Sequence, residues 1–276
     1  MKRLRPGEFF GRQNWERRVN GLLLTVSAYR PGPVEPWHEH ANPTFFILLD
    51  GSHRDHARTA HGQYDQPHFS LVFHPSGHPH AAEYGPQGMR GLNIEYEPPW
   101  LERNQLDRGD LAEPLALDRA WIRPAILRLL VTAFQSDPRA EADLETQVTE
   151  FLAAVPDPSR HGDSGRAPAW LRSAEEFLRA RSRETVGLRD VARDVNLHPV
   201  YVARAFRRHF GCPVSEYLRG LRLADAGGLV LQGATLAEAA HTSGFADQAH
   251  FSRSFSATVG LPPRSLWPAR AALAKL

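Results

Sequence analysis

Nine of the fourteen histidines fall between His38 and His80. Imidazole is a common transition-metal ligand and can donate or accept a proton near neutral pH. This density therefore marks the first place where the chain could do chemistry. His38 and His40 stand two residues apart, which in a strand turns both rings to one face and sends Glu39 to the other. His53, His56, His61, His68, His74, His78 and His80 follow. Three neutral imidazoles that converge and leave one position open would bind Zn²⁺. A second concentration is basic: Arg204, Arg207 and Arg208 in one segment, Arg253 in another. A guanidinium forks onto two acceptors at once, whether the O6 and N7 of a guanine or the oxygens of a phosphate.

The elements that carry these arginines occur twice. One segment runs from Leu188 to Gly211, the other from Thr235 to Gly260. Each opens with a short apolar-periodic helix, marked by Val191-Ala192 and by Ala239-Ala240, then turns into a second helix that ends at a glycine. Val202, Phe206 and Phe210 fall at i, i+4 and i+8, and Phe251, Phe255 and Val259 repeat that spacing. Those residues, with Phe245, form a buried face and leave the polar face free. Pro199 suits the first turn of its helix, with His198 as cap. Two helices joined by a tight turn, the second basic, make a helix-turn-helix pattern, and an internal duplication is far more specific than one copy. A connecting helix from about Val214 to Val230 spans roughly 26 Å. Such a strut can place two recognition helices near the ~34 Å repeat of successive major grooves. Gly227-Gly228 weakens that helix by about 1 kcal/mol per glycine, unless the pair permits close packing or a small bend; both readings stay open.

The wording of these segments resembles the AraC/XylS family of bacterial transcription regulators. Arg204-Ala205-Phe206 and Arg253-Ser254-Phe255 match its R-x-F positions, and Leu221-Arg222-Leu223-Ala224-Asp225-Ala226 its connecting helix. Gly211-Cys212-Pro213, Gly244-Phe245-Ala246-Asp247 and Gly260-Leu261-Pro262-Pro263 match its turns. The resemblance implies a DNA-binding domain over residues 170–276. It maps base-facing positions to Val200, Ala203 and Arg204, and in the second helix to Gln248, Ala249, His250, Ser252 and Arg253. Val200 and Ala203 offer apolar contact, for example to a thymine methyl; Arg204 suits guanine and Gln248 adenine. Tyr201, Arg207 and Arg208 suit phosphate or sugar, which fixes register but not sequence. The alternative for Arg207-Arg208 is a solvated face.

Towards the N-terminus, Leu22–Tyr29, Phe45–Leu49, Phe69–Phe73 and Gly91–Tyr96 read as short strands punctuated by glycine and proline, the pattern of a small sandwich or barrel. Residues 2–18 read as an irregular arm docked by Phe9, Phe10 and Trp15. Trp37-His38-Glu39-His40 followed by Gly51, and Pro75-Ser76-Gly77-His78-Pro79-His80, resemble the two motifs of the cupin barrel. The resemblance implies an effector-sensing barrel over residues 1–97, with His38, His40 and His80 as ligands for Zn²⁺, or for Fe²⁺ or Mn²⁺ in a cupin context. The family's ligand glutamate is here Thr44, and Tyr84 stands where cupin enzymes often have asparagine. Glu83 is a possible substitute carboxylate. A metal site, a metal-free small-molecule pocket and a structural remnant all remain open.

Two helical stripes follow, Trp121 to Phe134 and Leu144 to Val155, giving a helical segment over residues 98–155 and a candidate homodimer contact. Residues 156–169 are polar and proline-rich, the composition of a linker. The fold class expected is therefore α+β in two domains: a cupin-like β-barrel followed by helices, then an all-α domain with two helix-turn-helix motifs. A length of 276 residues fits two domains. The net charge of +2 hides an asymmetry, because residues 170–276 hold 15 Lys+Arg against 9 Asp+Glu. Cys212 is the single cysteine, so no intrachain disulfide forms, which suits a reducing cytoplasm. Neither a secretory signal nor a membrane span is expected. The leading expectation is a non-enzymatic, one-component regulator. It would bind double-stranded promoter DNA, respond to a small molecule or metal, and meet RNA polymerase if it activates. The rival is a metal-dependent cupin enzyme with an accessory DNA-binding domain; a third reading is architectural DNA binding without sensing.

Overall fold

A computed structural model describes residues 1–32, 34–57, 63–66, 68–104, 114–117, 122–135, 137–154 and 168–275. The chain divides into two compact units. The first comprises Met1–Asp118, Leu129–Arg160 and Trp267–Leu276; the second comprises Arg119–Arg128 and His161–Leu266.

The first unit is built on a nine-stranded sheet. Its strands are β1 (Lys2–Leu4), β2 (Arg12–Val19), β3 (Leu22–Tyr29), β4 (His38–His40), β5 (Thr44–Ala57), β6 (Gln63–Gln66), β7 (Leu71–His74), β8 (His80–Tyr96) and β9 (Leu115–Leu117). The main path runs β1-β4-β8-β5-β7-β9, with β3 also on β8, β2 on β3, and β6 on β5. Two long strands carry the curvature. In β5 the register against β8 shifts between Leu48 and Asp50 and again between Gly51 and His53. Gly51 has φ 83°, and a Cβ there would lie 2.1 Å from the Gly88 carbonyl oxygen. Glycine is therefore required where the two strands bend together. The sheet curls into a half-barrel around Phe45, Phe73, Leu92, Ile94 and Tyr96, all buried.

Three features depart from the sequence reading. Residues 2–18 are not an irregular arm: β1 pairs parallel with β4, setting Lys2 beside His38 and Leu4 beside His40, and β2 pairs antiparallel with β3. Charged residues hid the period-2 pattern of this edge strand, whose inward Trp15 stacks on Phe134 at 4.1 Å. The sheet does not end near residue 97, because β9 pairs with β7. Finally, Trp267–Leu276 clusters with the first unit. There Asn14 Nδ2 donates to the Ala272 carbonyl at 2.9 Å and Arg90 donates to the Leu273 carbonyl at 3.3 Å. No local pattern distinguishes a terminal helix that packs on its own domain from one that packs elsewhere.

The intervening helices are α1 (Pro98–Arg103), α2 (Ile122–Ala133) and α3 (Pro138–Ala154). Pro138 occupies the first turn of α3, and Asp137 Oδ1 accepts from the Ala140 amide at 2.9 Å, so the break between the stripes is a capped start. Ile126, Leu129 and Leu130 of one stripe and Leu144 and Val148 of the other are buried. Trp121, Val155 and linker residues 156–167 lie outside the described residues.

The second unit contains α4 (Ala169–Ala180), α5 (Leu188–Asp194), α6 (Pro199–Phe210), α7 (Val214–Gln232), α8 (Leu236–Thr242), α9 (Gln248–Val259) and a 3-10 turn, Pro263–Leu266; α10 (Trp267–Leu273) follows in the chain. Helix ends are set by local chemistry. His198 Nδ1 accepts from the Val200 amide at 3.3 Å, with Pro199 behind it. Thr235 and Glu238 close a reciprocal capping box on α8. Asp247 Oδ1 accepts from the His250 amide at 2.6 Å at the start of α9. Gly211, Gly233 and Gly260 end α6, α7 and α9 in the left-handed region. Val202, Phe206, Phe251, Phe255 and Val259 are buried, so each recognition helix turns its aromatic face inward. Phe210, Cys212 and Tyr217 join the core of the first half. Burial pushes the Cys212 thiol pKa up, which keeps it protonated and fits packing rather than reactivity.

Candidate nucleic-acid interface and histidine chamber

Helices α6 and α9 present equivalent outer faces. On α6, Val200 and Tyr201 are 51% and 54% exposed, unusual for large apolar side chains beside a packed core. Arg204, Arg207 and Arg208 are also exposed, and Ala203 is half-buried. On α9, Gln248, Ala249, His250 and Arg253 are exposed and Ser252 is half-buried. Several other arginines of this unit have partners: Arg179 holds Glu175 at 2.7 Å, Arg193 meets Asp190 at 3.3 Å, and Arg222 donates to two backbone carbonyls. Arg204, Arg207, Arg208 and Arg253 make no ion pair among the described residues. Their charge is left for a partner outside the unit. The Ala246 amide donates to His250 Nδ1 at 3.4 Å, so the neutral ring keeps its proton on Nε2 and presents a donor outward.

In the half-barrel, sheet register brings the three histidines together. His38 is directly paired with His80 across β4 and β8, and His40 follows on the same face of β4. Ring centroids lie 4.2 Å apart for His38 and His80 and 5.2 Å apart for His40 and His80. One nitrogen of each lies within 4.8 Å of the others. Nitrogens bonded at 2.0–2.1 Å around a tetrahedral ion stand about 3.3 Å apart, so modest ring rotation would close the set. Two rings have their tautomer fixed. His38 Nδ1 donates to the Pro36 carbonyl at 2.9 Å, and His80 Nδ1 to the His78 carbonyl at 3.3 Å. Each Nε2 then keeps its lone pair, the arrangement found behind metal-ligating histidines. Burial depresses the pKa of all three, favouring the neutral, ligating form. His40 Nδ1 is buried with no hydrogen-bond partner. The residues present thus fit a divalent transition metal.

The chamber around them holds about 30 Å³ of free space and is also lined by Glu35, Thr44, Asp55, His74 and Tyr84. Thr44, at the position of the cupin carboxylate, donates to the Asn42 carbonyl at 3.2 Å. His74 is Thr44's cross-strand partner and stacks on His80 at 3.8 Å. Its Nε2 lies 3.0 Å from the fully buried Asp55, and despite the cost of burial His74 holds the Asp55 carboxyl below its ordinary pKa. Burial pushes the Glu35 carboxyl up to about 7, even though it accepts from Tyr84. Glu83 is not the substitute carboxylate, because it pairs with Arg54 and His56 instead. Glu39 faces away, against Arg3. His68 bonds to the Gly51 carbonyl, and His61 lies outside the described residues. Asp55 and Glu35 were missed in the sequence. The alternation His53-Arg54-Asp55 places Asp55 on the inner face once the strand is known to continue past Gly51.

Residues 191–266 match the model of a family described as a helix-turn-helix domain. An uncharacterised HTH-type transcriptional regulator of Bacillus subtilis, YbfI, is 30% identical over 100 residues, covering 36% of this chain and 33% of that protein. The lactose operon transcription activator of Staphylococcus xylosus is 26% identical over 87 residues, 31% of each. The chain therefore spans about a third of the length of these curated relatives. ToxT from Vibrio cholerae superposes over 91% of this chain and 99% of its own, at 13% identity and a TM-score of 0.40. With two helix-turn-helices joined by one connecting helix, the C-terminal part of this chain carries a helix-turn-helix domain.

Proposed function

We propose that the chain is a one-component transcription regulator. Its paired recognition helices, α6 and α9, bind successive major grooves of double-stranded promoter DNA, and the half-barrel senses a small molecule or metal that modulates this binding. The observation that carries the reading is the repeated outer face: two helices with buried aromatic stripes and outward arginines that make no ion pair among the described residues. Arg204, Gln248 and Arg253 read base edges, with Val200, Ala203, Ala249 and Ser252 in van der Waals reach, and His250 donates from Nε2 to a base or a phosphate. Tyr201, Arg207 and Arg208 hold the backbone. A duplex selected from a random library provides the test. Arg204→Ala and Arg253→Ala should weaken binding to the selected site about 5- to 100-fold, and to random DNA much less. Equal loss on both would reduce these residues to phosphate contacts.

His38, His40 and His80 are the residues that would hold Zn²⁺, Fe²⁺ or Mn²⁺, which would supply positive charge and an open coordination position in the chamber. Elemental analysis of untagged protein beside the His38→Ala/His80→Ala variant tests this; equal metal content in both would refute it. An enzymatic role is disfavoured. Thr44 stands where the cupin motif has its ligand carboxylate, and one of the chamber's two carboxyls, Asp55, is already engaged by His74. No helix among the described residues is long and apolar enough to cross a membrane, which accords with a cytoplasmic place of action. A homodimer through α2 or α3, and contact with RNA polymerase if the protein activates, complete the reading.

A further inference from the structure

The connecting helix α7 serves as a strut in the reading above, yet it also lines a cleft of about 470 Å³. Both recognition helices contribute to the same cleft, α6 through Ala203 and Arg207 and α9 through His250. Helix α7 adds Arg219 and Arg222, and no carboxylate is among the lining residues. Arg222 is engaged, donating to the Ser182 and Glu184 carbonyls at 2.6 Å each. The side chains of Arg219 and Arg207 are exposed and make no hydrogen bond or ion pair among the described residues. His250 turns a protonated Nε2 outward, because its Nδ1 accepts from Ala246. Three donors from three helices therefore face one concave, acid-free space. A duplex that seats α6 and α9 in two successive major grooves must carry its backbone across the interval between them.

We propose that this cleft is a phosphate clamp. Arg219, with Arg207 and His250, takes the sugar–phosphate backbone of the DNA span between the two recognition helices, and Arg219 is a sequence-independent DNA-binding residue. The proposal rests on the DNA-binding reading and adds a third contact surface to it. Backbone neutralisation has a signature that base reading lacks: each phosphate contact contributes about 0.9 to the slope of log K against log salt.

The test uses the full chain and fluorescein-labelled 30-base-pair duplexes, one of random sequence and one selected from a library. Anisotropy titrations run from 50 to 300 mM NaCl. Arg219→Gln should lower the slope by about one and weaken binding about 8-fold at 0.1 M salt, equally on both duplexes. Arg219→Lys should keep the wild-type slope, which separates lost charge from lost folding. Arg172→Gln, on the exposed face of α4 and outside the cleft, should change neither quantity. An unchanged slope in Arg219→Gln, an equal loss in Arg172→Gln, or a loss confined to the selected duplex would overturn the clamp. Failure of the wild-type chain to bind either duplex would overturn the DNA-binding reading instead.

Discussion

Gly227→Ala gives the sharpest structural prediction, because two known effects oppose each other at this site. Replacing a mid-helix glycine with alanine ordinarily stabilises by about 1 kcal/mol. Here the new Cβ would lie 2.6 Å from Leu127 Cδ2, well inside contact distance, and Leu127 is fully buried. Overpacking of this kind costs about 1–3 kcal/mol. The net expectation is a loss of up to about 2 kcal/mol by the same accounting. The companion variant Leu127→Ala removes the obstruction and itself costs about 2–5 kcal/mol. In that background Gly227→Ala should become stabilising, by about 1 kcal/mol from helix propensity. The coupling across the cycle would then be about 2 kcal/mol, within the range for residues in contact. Urea unfolding of the four proteins, followed by far-UV circular dichroism, measures it. A stabilising Gly227→Ala in the wild-type background, or additivity across the cycle, would refute the close-packing account of this glycine.

Three further predictions follow from the caps, cores and buried acids. Thr235→Ala removes the hydroxyl that accepts from the Glu238 amide and donates to the Glu238 carboxylate, leaving only the backbone half of the α8 capping box, and should cost about 1 kcal/mol. Glu238 sits below its ordinary pKa through its bonds to Thr235, so the cap's contribution is full above the carboxylate range and fades as pH falls through it; a pH-independent cost of Thr235→Ala would contradict this. Phe206→Ala and Phe255→Ala each empty a fully buried position and should cost about 3–5 kcal/mol, measurable by thermal unfolding; a loss under about 1 kcal/mol would mean the stripes are not core. Burial raises the Glu95 pKa to about 7, so the fold binds a proton there that the unfolded chain has released. Stability of the first unit should therefore fall as pH rises from about 4.5 to 7, and Glu95→Gln should flatten that slope; an unchanged slope would refute it.

The C-terminal half was legible because its information is local. Glycine ends, the Pro199 start and the i, i+4, i+8 spacing of Phe206 and Phe255 each fix one helix end or face without reference to distant residues. The ambiguity at Gly227 could not be resolved locally, since its cause is Leu127, a hundred positions away in the chain. The N-terminal half was only partly legible. His38 and His40 announce a shared face by their alternation. Asp55 and His74 join them only through the register of β5 against β7 and β8, and Glu35 through the bond of its amide to the Ala82 carbonyl at 2.8 Å; no neighbouring residues encode these. Edge strand β2 escaped for a different reason: its solvent-facing charges masked the strand, although the Asn20-Gly21 turn that pairs it with β3 is a local hairpin signal.

The central claim is that α6 and α9 act as a pair on one face of a duplex. A hydroxyl-radical footprint of the full chain on a library-selected duplex tests it most directly. The account predicts two protected windows about 10–10.5 base pairs apart, with Arg204→Ala weakening one window and Arg253→Ala the other. A single window, lost entirely in one variant and untouched in the other, would show that only one helix-turn-helix reads DNA and would contradict the account.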